Sequence, residues 1–289
     1  MTRQPAVARR AEALLKSAVV ATAPVAGGDI ATATKLRLSD GTTALMKTLT
    51  GAPAGFFAAE AAGLRWLAEV DDGVPVPPVL AVDDECLVIA WVDPGKQTAD
   101  EAADLGRRLA ATHAAGADGF GRSGPVADGF IGRLPMANPV CDTWAELYAE
   151  YRVLPYLRRA ADRAALTADE VASIEAVVAR LADLVPVEPP ARLHGDLWTG
   201  NVLWGQDGRA WLVDPAAHGG HRETDLAMLA LFGLPNLPRV LDAYDETAPL
   251  VEGWRDRTGL HQLFPLLVHA CLFGGGYGAR AAATAAKYV

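Results

Sequence analysis

The stretch LHGDLWTGNVLWGQDGRAWLVD, Leu193 to Asp214, carries three polar side chains at the ends of apolar runs. Asp196 sits in an H-G-D triplet, Asn201 follows five residues later, and Asp214 closes a second apolar segment. Phosphoryl transfer to an alcohol needs such groups: a carboxylate beside the attacking hydroxyl, and a carboxylate and an amide that hold magnesium on a triphosphate. The D-x-x-x-x-N spacing lets one tight loop present Asp196 and Asn201 toward a single point. Leu193, Val202 to Trp204 and Trp211 to Val213 read as short buried strands, with Asp207-Gly208 as a hairpin turn between the last two. H-G-D alone is a weak signal. Base, amide, turn and second acid in that order is a specific one, with the layout of a kinase-type active site.

Toward the N-terminus, Lys47 lies on a predicted strand (Thr42 to Leu49) that returns from Ala33–Leu38 through an Asp40-Gly41 turn. Leu45 and Leu49 share its face, and an inward lysine is costly unless paired. Phe56 to Val70 has helical spacing and carries Glu60, so Lys47 and Glu60 are expected to form the ion pair that positions the nucleotide phosphates. Gly27 and Gly28 are expected at a turn whose backbone could approach those phosphates, although the pattern is not a full G-x-G-x-x-G. Two strands around Asp83-Asp84 lead to Ala90–Val92, the expected hinge where backbone at Ala90 and Val92 would read adenine. Trp91 is expected in the core. The expected fold class is therefore α+β: a small β-rich lobe (1–92) and a larger, mainly helical catalytic and substrate lobe (93–289).

Helices are predicted at Ala6–Val20, Thr98–Ala115, Thr143–Ala165 and Thr167–Leu184, the last opened by a Thr167/Glu170 capping box. His113 is expected to be structural. Asp118-Gly-Phe-Gly-Arg and Asp128-Gly-Phe-Ile-Gly-Arg-Leu-Pro read as loops without an assigned purpose. After Asp214, His218, His221, Glu223 and Asp225 invite a zinc reading. It is rejected because Gly219-Gly220 makes the segment a loop and no further His or Cys completes the set. Asp225 opens an apolar helix as a cap and is expected to brace the His194 loop, while His221 and Arg222 are expected to face substrate. The remainder reads as helical, with a late turn at Phe273-Gly-Gly-Gly-Tyr.

Composition agrees with an ordinary globular protein: 51% of the 289 residues are apolar and 21% charged. A formal charge of -9 argues against nonspecific nucleic-acid binding, which relies on clustered cations. Three scattered cysteines, Cys86, Cys141 and Cys271, fit a reduced compartment. Glu12 makes the arginine-bearing first helix unlike a transit peptide, and no apolar run reaches a membrane-spanning length. A cytoplasmic monomer or weak dimer is expected.

The strings LHGDLWTGNVLW, DPAAHGGHRETDLAMLALFG, DGFGR with FIGRLP, and HACLFGGGYG resemble the fructosamine/ketosamine kinase family over nearly the whole chain. Tryptophan directly after H-G-D-L, and H-R-E-x-D-L-A, set the resemblance apart from aminoglycoside and choline kinases. It implies a protein-kinase-like fold, ATP with Mg²⁺, and phosphorylation of the sugar 3-hydroxyl of ketosamines on free amines or protein lysines. The phosphorylated adduct then falls apart, which implies a deglycation and protein-repair role. It further implies Asp196 as base, Asn201 and Asp214 as metal ligands, Lys47 with Glu60 as the phosphate pair, and Trp198 as a sugar platform. This chain departs from the family at Leu134-Pro135-Met136, where L-P-Q is usual, and at Leu231 to Leu234, where L-F-G-G is usual; sugar or amine preference could differ accordingly. Its glycine turn has no cysteine, so no thiol switch is expected there. The alternatives are a kinase of another small hydroxyl compound, such as an aminoglycoside or choline, and a nucleotide-binding pseudokinase. The latter has no need of a base.

Overall fold

The computed structural model describes residues 6–26, 30–122 and 128–289; Gly27 and Gly28 lie outside these residues. Helix α1 (Ala6–Leu15) ends earlier than its periodicity predicts. Lys16 adopts φ 56° and breaks the helix, and the β-branched pair Val19-Val20 opens a strand, β1 (Val19–Val25), in place of a last helical turn. Strands β2 (Thr32–Leu38), β3 (Thr43–Thr48), β4 (Val79–Val82) and β5 (Cys86–Ala90) complete an antiparallel sheet of order β1-β2-β3-β5-β4. Asp40 accepts from the Thr42 N–H at 2.8 Å to close the β2–β3 turn. Gly41 there has φ 88°, a conformation that favours glycine.

The sheet lies between two helices because alternate side chains leave a strand on opposite faces. On β3, Ala44 and Met46 join Ala11 of α1 in one small core. Leu45 faces the other way and packs beneath α2 (Phe56–Leu67), and Lys47 shares that face. Strand parity thus delivers Lys47 to the helix that carries Glu60.

The rest of the chain is mainly helical. Helix α3 (Ala99–Ala114) starts in a Thr98/Glu101 capping box. Two short strands, β6 (Gly129–Ile131) and β7 (Leu134–Met136), follow. The helix predicted over 143–165 is three pieces: α4 (Trp144–Leu147), a π-helical turn at Tyr148–Val153, and α5 (Leu154–Asp162), where Pro155 sits in the first turn. Helix α6 (Ala168–Val178) has its Thr167/Glu170 capping box, and α7 (Leu181–Leu184) follows. Strand β8 (Ala191–Leu193) leads into the H-G-D loop, and β9 (Val202–Trp204) with β10 (Ala210–Leu212) makes the expected hairpin. The segment read as a loop at Gly219-Gly220 is strand β11 (His218–Gly220), paired with β8. Its glycines serve close approach: a Cβ on Gly219 would stand 2.1 Å from the Gly119 carbonyl oxygen. Helices α8 (Glu223–Phe232), α9 (Leu237–Thr247), α10 (Trp254–Phe273) and α11 (Tyr277–Ala285) close the chain.

One apolar core fills the helical part around Tyr148, Phe264 and Leu267. A second runs from Phe57, Leu64 and Leu87 to Leu105, Leu109, Leu197, Leu212 and Tyr244. That second core joins the sheet to the helices directly beneath the H-G-D loop.

Candidate active site

The loop after β8 is held by buried groups on every side. Asp225, in the first turn of α8, accepts the backbone N–H of His194 at 2.8 Å and of Gly195 at 2.9 Å. His113 adds a third contact to Asp225 at 3.2 Å and is fixed in turn by the Tyr244 hydroxyl at 2.8 Å. Burial alone would raise the Asp225 pKa, but these partners outweigh it and hold the carboxyl below its usual value. The His194 ring donates from Nε2 to the Val213 carbonyl at 2.9 Å and accepts the Asp196 N–H at Nδ1 at 3.3 Å. Burial lowers its pKa, so the ring is neutral and its tautomer is set by those two bonds. Gly195 has φ 82°, and a Cβ there would lie 2.1 Å from the Ala216 carbonyl oxygen; only glycine fits the turn.

Asp196 emerges from this loop into the cleft. The Asn201 amide donates to its backbone carbonyl at 2.8 Å and to Oδ2 at 3.2 Å. Burial, and then the negative charge of Asp214, push the Asp196 carboxyl up to about 7. Such a value suits a group that must take up a proton near neutrality. Asp214 follows β10 with φ 57°, a conformation aspartate tolerates better than most residues. Its Oδ1 accepts from Lys47 Nζ at 2.8 Å, and Glu60 Oε1 accepts from the same ammonium at 2.7 Å. Burial works against the Lys47 charge, yet the two carboxylates prevail and keep it protonated above its ordinary range. The chain therefore brings Glu60, Lys47, Asp214, Asn201 and Asp196 into one cleft. Asn201 commits its nitrogen to Asp196, which leaves its side-chain oxygen as a candidate metal ligand alongside the Asp214 carboxylate. That is a hard-oxygen set of the kind magnesium prefers.

The other expected site residues lie as follows. Trp198 is half-buried beside the loop, with its ring 5.9 Å from that of Phe232 and close over Gly200. Ala90 ends β5 with its N–H on the Pro78 carbonyl at 2.9 Å. Val92 precedes a crossing stitched to the catalytic hairpin, where Gly95 N–H meets Trp204 O at 2.6 Å and Gln206 N–H meets Asp93 O at 2.9 Å. Trp91 is half-buried beneath Lys35 Nζ, 4.0 Å from the ring centre, and not in the core.

The side chains of His221 and Arg222, expected to face substrate, are taken up by protein partners. Glu188 takes the Arg222 guanidinium in a two-pronged pair at 2.8 and 2.7 Å, and the carbonyls of Ala248 and Pro249 occupy the rest. His221 is buried between Trp144 and His261. The histidine that spacing did not supply arrives from α10, so His221, Glu223 and His261 converge with ligand atoms within 4.8 Å of one another. Arginines claim the carboxylates there, Arg257 on Glu223 at 2.6 Å and Arg222 on Glu188. His221 Nδ1 also accepts the Glu223 N–H at 3.2 Å, which puts its proton on Nε2. A cation would meet two guanidiniums and a protonated nitrogen, so this cluster is an ion network that ties α8 to α10.

The fructosamine kinase family model matches residues 3–289. The chain belongs to the fructosamine kinase family. It is 37% identical over 257 residues to the probable ketoamine kinase of Thermus thermophilus, covering 88% of each chain. It is 31% identical over 261 residues to the chloroplastic protein-ribulosamine 3-kinase of Arabidopsis thaliana, covering 88% of this chain and 78% of that one. A crystal structure from Thermobifida fusca assigned to fructosamine-3-kinase superposes with TM-score 0.91 at 52% identity, over 98% of both chains. An aminoglycoside phosphotransferase bound to gentamicin, 15% identical with TM-score 0.67 over the full length of both chains, shares the protein-kinase-like fold. This fructosamine kinase family member is thus a phosphotransferase with an alcohol group as acceptor, built as a small antiparallel sheet lobe on a helical lobe.

Proposed function

We propose that this kinase transfers the γ-phosphoryl group of ATP to the 3-hydroxyl of a ketosamine sugar, a deglycation activity of the cytoplasm. The observation that carries the reading is the single cleft in which Asp196, raised to about 7, stands beside Asn201 while Lys47 bridges Glu60 and Asp214. Asn201 and Asp214 would hold Mg²⁺, which supplies charge neutralisation on the triphosphate. Lys47, kept in place by Glu60, binds the phosphates. Asp196 orients the acceptor hydroxyl and takes its proton, with the Asn201 amide fixing the carboxylate. His194 and Asp225 hold the loop backbone, and Trp198 offers a face to the sugar. The acceleration comes from positioning and fixed charge, with no covalent enzyme intermediate. In the described residues no helix is long and apolar enough to cross a membrane.

The test is phosphate transfer from ATP with Mg²⁺ to fructosyl-lysine, ribosyl-lysine, free ribulose, choline and kanamycin, with the product mapped by NMR. Transfer restricted to the two adducts, at the 3-position, is the expected result. Transfer to choline or kanamycin alone overturns the ketosamine reading, and phosphate on another hydroxyl overturns the 3-position.

A further inference from the structure

We infer that the β6–β7 hairpin gauges the acceptor sugar, with Ile131 as the residue that sets which sugar reaches Asp196 and the Tyr156 and Arg152 anchors as what positions the hairpin. The inference rests on the ketosamine reading and deepens it.

The hairpin touches α2, the end of α10 and the chain ahead of β2. Phe130 lies against Phe56 of α2, ring centres 5.2 Å apart, on the helix that carries Glu60. Gly132 turns the hairpin at φ 57°; a Cβ there would stand 2.9 Å from Leu272 Cδ1 at the end of α10 and 3.7 Å from Ile30 Cδ1 ahead of β2. Between these contacts, Ile131 is only 4% exposed and lines the same small pocket as Asp196 and Gly195. Met228, Phe264, Pro265 and Val268 supply its apolar lining, and Thr224, Asp225 and His269 its other polar members. Ile131 therefore stands beside the carboxylate that would receive the acceptor hydroxyl.

The base of the hairpin is anchored with unusual expense. Tyr156 donates to the Pro135 carbonyl at 2.8 Å, and Asp128 Oδ1 accepts the Asn138 N–H at 3.0 Å. Arg152 donates to the Ala137 carbonyl at 2.7 Å and to Asn138 Oδ1. This guanidinium is 1% exposed, its described hydrogen bonds go to amide and carbonyl oxygens with no carboxylate, and its Nε has no partner among the described residues. Burying an arginine without a counter-ion is unfavourable. It stands in the π-helical turn Tyr148–Val153, an irregularity that recurs at functional sites. What this cation secures is the chain leaving β7, and with it the height of Ile131 over the pocket.

A fructosamine is longer than a ribulosamine by one CH(OH) group, and for a bare methylene an apolar pocket discriminates by roughly 10- to 200-fold. The experiment measures kcat/KM for fructosyl-lysine and ribosyl-lysine, and KM for ATP, in the full-length protein and in Ile131→Ala, Ile131→Phe and Tyr156→Phe. Ile131→Ala should move the fructose-to-ribose ratio toward the larger sugar by about fivefold or more, and Ile131→Phe should move it the other way. Tyr156→Phe should raise KM for both adducts severalfold with kcat nearly kept. KM for ATP should stay within about twofold in all three, a split that a general loss of structure would not produce. Should the alanine variant fail to fold, Ile131→Val reads the same ratio with a smaller shift. An unchanged ratio in active Ile131 variants overturns the inference alone. No transfer to either adduct by the unsubstituted protein overturns the ketosamine reading, and this inference with it.

Discussion

The residue on which the chemistry converges, Asp196, is held by its backbone as much as by its side chain. Replacement by asparagine keeps the shape and the Asn201 contact but removes the base. General-base catalysis is worth roughly 10²- to 10⁴-fold, so Asp196→Asn should lower kcat by about a thousandfold while nucleotide affinity, set by Lys47, stays within a few-fold. Calorimetric titration of ATP against a kinetic assay separates the two, and loss of nucleotide binding would count against Asp196 as base. Asp225 makes the complementary case. It acts on the loop backbone, accepting two loop N–H groups at 2.8 and 2.9 Å. Asp225→Ala leaves those donors and His113 buried without their acceptor, at a cost of about 3–5 kcal/mol for a broken buried charge network. The midpoint of urea unfolding should fall accordingly; an unshifted midpoint would mean that the loop has another anchor.

At the scale of elements, the pair Glu223–Arg257 joins the start of α8 to α10 at 2.6 Å. Burial by itself would raise the Glu223 pKa, but His261, whose Nε2 stands 3.3 Å away, and the hydrogen bonds from Arg257 dominate and hold it down to about 2. A carboxyl depressed in the folded state adds stability that is fully present above its ordinary pKa of 4.5 and is lost as pH falls toward 2. Stability should therefore drop by a few kcal/mol across that window, and Glu223→Gln should flatten the drop while lowering stability at pH 7. An identical acid profile in the variant would remove Glu223 from the account. The same region marks where reading from sequence succeeds and fails. The β9–β10 hairpin, the Thr167/Glu170 capping box and the Lys47–Glu60 pair are legible because each is written in local spacing or strand parity. Strand β1 is not legible, since alanine-rich sequence through Ala18 continues a helical pattern and the break depends on the backbone of Lys16. His221 and Arg222 look like site residues because charge beside an Asp suggests a cleft. Their partners, Glu188 and His261, come from 33 and 40 positions away in a chain whose folding alone brings them in. The β6–β7 hairpin did carry a signal, a Gly132-Arg133 turn between apolar pairs of the kind that glycine-first hairpin loops show. Its meaning appears only once Phe56, Ile30 and Leu272 surround it.

For the whole molecule, the arrangement of apolar cores decides how the two lobes stand toward one another. The larger share of the sheet lobe's core is not its own: Phe57, Leu64, Leu87 and Ile89 pack in one continuous cluster with Leu105, Leu109, Leu197 and Tyr244. The cluster passes directly under Asp196, so the loop that carries the base is part of the joint. A lobe that shares its core in this way has little to gain by unfolding alone, because exposing one side of the cluster exposes the other. Unfolding should be a single cooperative transition, with the calorimetric and van't Hoff enthalpies equal. Leu87→Ala on the sheet side and Leu109→Ala on the helical side should each cost about 2–5 kcal/mol and shift that one transition as a whole. The pair also predicts non-additivity, since both truncations relax into the same cluster. Addition of ATP with Mg²⁺ should raise the midpoint of the same transition by mass action on the folded state, and chelation of the metal should reverse the rise. Two resolved transitions in scanning calorimetry, with only one moved by nucleotide, would show instead that the sheet lobe folds as an independent unit and that the shared core is a contact surface between two bodies.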